Sequence, residues 1–167
     1  MIARILTLTA LILFMSAAVG QARDVTIPIG KGTVTITFSK SWNVSNIQRG
    51  LEAKTGDEEV YISAEAFTDA ELDRLMTEHQ NYFTNQGVVV TGKLHSETKV
   101  VNGLNMKIIS LPATWHGDPT VLEYLIVDPE LASGWKLMVA EWASPKGDRM
   151  YQADLDTILN SLNFGKK

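Results

Sequence analysis

Polar and apolar positions alternate with a period of two over Asp24–Ile29 and again over Thr33–Phe38, where Thr is interleaved with Val or Ile, and Gly30-Lys31-Gly32 lies between the two runs. Side chains of a strand point to opposite faces in turn, so the pattern predicts a β-hairpin. Pro28 lacks a backbone N–H and places the first strand at a sheet edge or a bulge. Ser39 to Asn46 reads as a loop, and Leu51–Lys54 and Val60–Ala66 as two further strands turned at Thr55-Gly56-Asp57. The period then changes to that of a helix. Leu72, Leu75, Met76, His79, Tyr82 and Phe83 form one stripe, which predicts a helix over Asp69–Gln86 packed on a sheet. Thr68 and Glu71 have the spacing of a capping box at its start, and Gly87 supplies the stop.

Strand patterns resume at Val88–Val100, followed by the hairpin dipeptide Asn102-Gly103 and a strand over Leu104–Leu111. His116-Gly117-Asp118-Pro119 breaks the chain before Thr120–Val127, and Asp128 to Gly134 separates that strand from Trp135–Ala143. These last two strands are almost continuously apolar, which requires both of their faces to be covered. Two stacked sheets could do this, but two helices in the chain favour layers of helix on the sheet. The second helix is predicted from near Asp148, with Tyr151, Leu155, Ile158, Leu159 and Leu162 on one side and a stop by Gly165. The predicted class is α+β: an antiparallel sheet of about six to seven strands flanked by two main helices, an α/β/α sandwich.

The N-terminus carries a different message. Arg4 precedes an apolar run from Ile5 to Val19, interrupted only by Thr7, Thr9 and Ser16, and then the small residues Ala17, Ala18, Gly20 and Ala22. This is the pattern of a secretory signal peptide over residues 1–22, with cleavage after Ala22. The run is about fifteen residues, short of the roughly twenty that span a bilayer core. Residues 23–167 are then one exported domain, periplasmic or secreted. The chain has no cysteine, so no lipid can be attached through one, and thiolate metal sites and thiol chemistry are excluded. Fifteen Lys and Arg against nineteen Asp and Glu disfavour nucleic acid or an anionic membrane as partner.

Phe38 followed at once by Ser39-Lys40-Ser41-Trp42, a mid-chain helix, a four-strand meander and a closing helix ending Ile158-Leu159-Asn160-Ser161-Leu162 together resemble the PsbP-like group. That group includes the extrinsic photosystem protein, the Ran-binding nuclear import factor and DcrB-type periplasmic proteins. The resemblance implies an antiparallel sheet between helices across nearly all of the exported chain. It implies a scaffold and no reaction, and no partner-binding motif of the group matches here residue by residue.

Titratable and aromatic residues are where chemistry would reside. His79 falls on the apolar stripe of the first helix and reads as a core histidine with a hydrogen-bond partner. His95, between Lys93 and Glu97 on a polar alternation, reads as solvated. No two histidines have zinc-ligand spacing, so no metal site is expected. Trp115, His116 and Asp118 place an aromatic, a titratable ring and a carboxylate in one turn, where function is more often found than in cores; the plainer reading makes Trp115 a lid and Gly117-Asp118-Pro119 a turn. Glu123 and Glu141 interrupt the apolar strands. With a hairpin centred near Leu131 they become diagonal neighbours able to raise one pKa; an ion pair of Glu123 with Lys107 is the simpler account.

No Ser lies in a nucleophile motif and no glycine loop has the length to cradle a phosphate, so no cofactor is expected. Of four tryptophans, Trp135 and Trp142 point to opposite faces as core residues, leaving Trp42 and Trp115 as the expected exposed pair. The expectation is an exported, non-catalytic binding or assembly module for a protein of the cell envelope, using Trp115, His116, Asp118 and Trp42. Its alternatives are a small hydrolase built from Glu123, Glu141 and His116, and a small-molecule carrier with a cavity beneath Leu75, Met76 and His79.

Overall fold

A computed structural model describes residues 22–101, 103–129 and 134–166. The expected leader lies outside the described residues, apart from Ala22. The first hairpin forms as predicted, β1 (Ala22–Ile29) against β2 (Gly32–Ser39), with Pro28 on the outer strand. It belongs to a small sheet of its own, in the order β1-β2-β11, closed by β11 (Asn163–Lys166). The stretch expected as a loop holds a strand, β3 (Asn43–Ile47), which pairs with β4 (Gly50–Lys54). Its Val44 and Ile47 are too few to announce themselves against three Asn and Ser. β5 (Val60–Thr68) follows.

The first helix opens with a turn of 3₁₀ helix at Asp69–Glu71 and continues as α1 (Leu72–Asn85). The capping box is present: Glu71 Oε2 accepts from the Thr68 backbone N–H at 3.0 Å and from Thr68 Oγ1 at 2.9 Å. Gly87, at φ +84°, ends it.

The predicted strand over Val88–Val100 is broken into β6 (Val88–Val90) and β7 (His95–Val101), which pair in succession along one edge of β8 (Leu104–Trp115). Gly103 holds the β7–β8 turn at φ +78°; Asn102 lies outside the described residues. β9 (Asp118–Asp128) and β10 (Trp135–Ala143) complete the large sheet, of eight strands in the order β3-β4-β5-β10-β9-β8-β6, with β7 also on β8. Every pairing is antiparallel. The second helix, α2 (Pro145–Asn160), starts three residues before the predicted Asp148 because Ser144 caps it, Oγ accepting from the Gly147 N–H at 2.9 Å. It ends before Gly165 because the chain leaves to become β11. The eight and three strands replace the six to seven expected.

The apolar β9 and β10 sit in the middle of the large sheet, and both of their faces are covered, as their composition requires. Leu122, Tyr124, Met138, Ala140 and Trp142 face α1 and its Leu75 and Phe83. Leu125, Val127, Leu137 and Val139 face the opposite way, onto Ile27, Ile29, Val34 and Ile36 of the small sheet and Leu155 and Ile158 of α2. The second layer is therefore sheet and helix together, where a helix alone was expected. Burying each Leu, Ile, Val, Met or Phe among these contributes about 1.5–3 kcal/mol. No helix among the described residues is long and apolar enough to cross a membrane.

Candidate functional site

Trp115 ends β8, and β9 begins at Asp118, directly opposite it. The two residues between, His116 and Gly117, have φ of +51° and +90°. Positive φ at both central positions is the type I′ geometry that a two-residue hairpin favours; Asn-Gly satisfies it with least strain, and here a histidine occupies the first place. The turn stands beside the C-terminal end of α1. Trp115 Nε1 donates to the Gln86 carbonyl at 3.1 Å, satisfying one of the carbonyls a helix end leaves open. The Trp115 ring packs at 5.2 Å on Trp142 and at 4.5 Å on His116.

These contacts form one wall of a cleft of about 310 Å³. The rest of its aromatic lining comes from Tyr61 on β5, beside Trp142 in the strand register, and from Tyr82 and Phe83 on α1, whose ring centroids lie 5.1–5.6 Å apart. The rim is the β4–β5 turn, with Asp57, Glu58 and Glu59, and Lys54 just before it. Lys54 Nζ stands 5.5 Å above the centre of the Tyr61 ring. Burial pushes the Tyr61 hydroxyl far above its ordinary range, with the neighbouring Tyr82 adding to the effect. Glu59 is held below the usual carboxylate range by the Ser144 hydroxyl and by Lys146. Glu58 has φ +59°. It and His116 are the two non-glycine residues in the left-handed region among those described, and both line this cleft.

The other expected site residues lie elsewhere. Asp118 is exposed and lines a neighbouring groove that shares Trp115 and Glu59 with the cleft and adds Ser144, Lys146 and Arg149. Trp42, expected at the surface, is 1 % exposed in the core beside Phe38, with Nε1 donating to Asp154 at 3.1 Å. The polar residues around it hid a ring that α2 covers.

Glu123 and Glu141 face each other directly across β9 and β10, closer than the diagonal placement expected. The turn at His116-Gly117 sets the β8 register so that Ser110 opposes Glu123 and Lys107 opposes Ile126. The expected Lys107–Glu123 pair is therefore absent, and Ser110 Oγ donates to Glu123 Oε1 at 2.6 Å instead. Burial, and after it the charge of Glu123, push the Glu141 carboxyl up to about 7. Both glutamates lie on the α2 side of the sheet with Asp148 and Arg149, whereas His116 lies on the α1 side. The hydrolase constellation of Glu123, Glu141 and His116 does not converge.

His79 is a core histidine, as read from its stripe: 7 % exposed, with Nε2 2.7 Å from Glu65 Oε1. Arg49 Nε donates to the other oxygen of Glu65 at 3.1 Å and also pairs with Glu78, which compensates the buried carboxylate. Leu75 and His79 fill the space beneath α1. The groove on this face lies to one side, about 470 Å³ along Met76, Phe83, Val88, Leu122 and Tyr124. No group of three or more metal-ligating side chains is assembled among the described residues.

A scan against protein-family models finds no match, and a search of curated proteins finds none either. Solved structures do match. The solution structure of cyanobacterial PsbP (CyanoP) from Synechocystis sp. PCC 6803 is similar with a TM-score of 0.57, at 6% identity, over 89% of this chain and 95% of that one. LpqN of Mycobacterium tuberculosis, described as involved in cell envelope biogenesis, is similar with a TM-score of 0.55, at 10% identity, over 86% and 91%. The chain has the PsbP-like fold, the one its sequence resembles. At these identities the likeness defines the scaffold alone.

Tyr61, Tyr82, Phe83, Trp142 and Glu58 belong to the cleft and were not singled out from the sequence as site residues. The adjacent pair Tyr82-Phe83 at the end of the helical stripe was the available signal, since one of two neighbours on a helix must turn toward its edge. Nothing in the sequence marks Glu58 as left-handed; Gly56 is the residue that draws attention in that turn.

Proposed function

We propose that this chain is an exported, non-catalytic binding module that engages a protein of the cell envelope through the cleft between the His116-Gly117 turn and the end of α1. The observation that carries this reading is the cleft itself: five aromatic rings contributed by three strands and a helix, of which Tyr61, Tyr82 and Trp115 are partly exposed to solvent and Phe83 and Trp142 are buried behind them. Aromatic side chains dominate binding hot spots because they bury large area with few rotors to freeze. The leader-like N-terminus supports export. LpqN, which shares the fold, is described as acting in cell envelope biogenesis, and that supports the compartment. The separation of Glu123 and Glu141 from His116 by the thickness of the sheet favours binding over hydrolysis.

The test is capture from an envelope extract, followed by titration of the purified partner against the wild type, Trp115→Ala, His116→Gly and, at a remote turn, Lys31→Ala. The reading expects Trp115→Ala to weaken affinity more than about ten-fold, with Lys31→Ala unchanged. A partner whose affinity ignores both cleft substitutions, or an extract that yields none, would sink it.

A further inference from the structure

We infer that the cleft recognises an organic ammonium group, such as a lysine or methylated lysine side chain or a free choline-type amine. This deepens the reading above and rests on it for the site. Three observations converge. The first is the wall chemistry. Ring faces carry the negative side of the aromatic quadrupole and attract cations, most strongly where several rings enclose one site. Tyr61, Tyr82 and Trp115, each partly exposed, line the opening, with Phe83 and Trp142 buried behind them.

The second is the rim. Asp57, Glu58 and Glu59 line it against Lys54 alone, with Lys146 nearby engaged by Glu59 at 2.9 Å and by Asp57 at 3.9 Å. The Glu58 carboxylate is exposed and makes no side-chain bond within the described residues, and its backbone is held left-handed at the cleft's edge. An anion is repelled by this rim and a cation is drawn in. The third is that the chain already uses one of these rings in this way: the Lys54 ammonium sits 5.5 Å over Tyr61.

Size narrows the ligand further. A volume of about 310 Å³ is at the lower end of the roughly 300–1,000 Å³ of small-ligand sites, which suits a headgroup or one side chain. Trp142 lies behind this lining at 7 % exposure, and its buried Nε1–H has no acceptor among the described residues.

The experiment titrates the purified protein with choline chloride, with its neutral isostere 3,3-dimethyl-1-butanol, and with a short peptide containing trimethyl-lysine, following the indole N–H signals of Trp115 and Trp142 by NMR. Saturable shifts with choline and the peptide, at least about ten-fold stronger than with the butanol, are expected from cation–π attraction in a partly desolvated site. Tyr82→Leu, which keeps apolar bulk, should weaken choline about ten-fold, and Glu58→Gln about three-fold. A peptide that binds at least ten-fold more tightly than choline identifies a protein side chain as the source; the reverse identifies the free amine. Equal shifts from choline and the butanol overturn the ammonium assignment and leave the cleft standing as an apolar site. No shift from any of the three overturns it as well, and the capture experiment then judges the site on its own.

Discussion

Glu141 makes the stability of this protein depend on pH in a direction opposite to that of most carboxylates. Its ordinary value of 4.5 is raised to about 7 by burial, with Glu123 directly across the strand pair as the next cause. Between those two values the folded chain holds a proton at Glu141 that the unfolded chain has released. Stability therefore falls as pH rises through this window, and is reduced in full above about 7. The interval is worth about 3 kcal/mol at about 1.4 kcal/mol per tenfold change in proton concentration. The side chain keeps some contact with water, which screens the charge and brings the expectation to about 2 kcal/mol.

Glu141→Gln removes the titration while keeping the shape. The wild type and the variant should unfold at similar urea concentrations at pH 4.5. At pH 8 the variant should lead by about 1 M, for a denaturant slope of about 2 kcal/mol/M. Glu123→Gln, which removes the neighbouring charge but not the burial, should recover a smaller part of the same gain. A gap between wild type and Glu141→Gln that stays constant from pH 4.5 to 8, or that closes as pH rises, would refute the assignment.

Three further outcomes follow from local geometry. His116→Gly and Glu58→Gly each relieve a left-handed backbone, and each should stabilise by about 0.5–1 kcal/mol after the greater chain entropy of glycine is set against it, a rise of about 2–4 °C in Tm by calorimetry at the upper end. Gly50→Ala should cost about 3 kcal/mol in urea unfolding, because its Cβ would stand 1.9 Å from the Ala64 carbonyl oxygen, a backbone atom of the neighbouring strand that cannot step aside. Ser144→Ala should cost about 1 kcal/mol by removing the N-cap acceptor of α2, and should let the Glu59 carboxyl, deprived of its first hydrogen-bond donor, titrate closer to its ordinary range in an NMR pH series.

Elements with strong periodicity and a punctuating residue were legible in the sequence. The hairpin around Gly30-Lys31-Gly32, the capped α1 with its terminal Gly87, and the doubly covered β9 and β10 all announce their class through local pattern. What was hidden depends on non-local pairing. β3 exists because β4 offers it a ladder from Asn43↔Lys54 to Ile47↔Gly50, and β11 because β2 offers a free edge. Neither segment has a composition that requires a strand.

Register is lost for a similar reason. The two-residue turn at His116-Gly117 moves Lys107 to the face opposite Glu123, and a change of one residue in a hairpin's register exchanges every pair it contains. The site shows the same division. Trp115 and His116 were visible because they sit together in a turn. Tyr61, Tyr82 and Trp142 reach the cleft only through the pairing of β5 with β10, which sets Tyr61 opposite Trp142, and through the seat of α1 on the sheet.

The two strained residues tie the stability of the fold to the proposed use of the cleft. A left-handed backbone at a residue with a side chain costs free energy that a glycine would largely remove, and a hairpin turn imposes no requirement for imidazole or carboxylate at those positions. Among the described residues this strain is found at Glu58 and His116, in turns separated by more than fifty positions of sequence yet bordering one cleft. A purely structural account treats each as an isolated imperfection and leaves their meeting at the same opening unexplained. If both side chains are held there for a ligand, the glycine variants must gain stability and lose affinity together, Glu58→Gly through the missing charge and His116→Gly through the missing ring against Trp115. Stability gained at both sites with ammonium binding intact at both would separate the strain from the function and return the two turns to the status of ordinary surface structure.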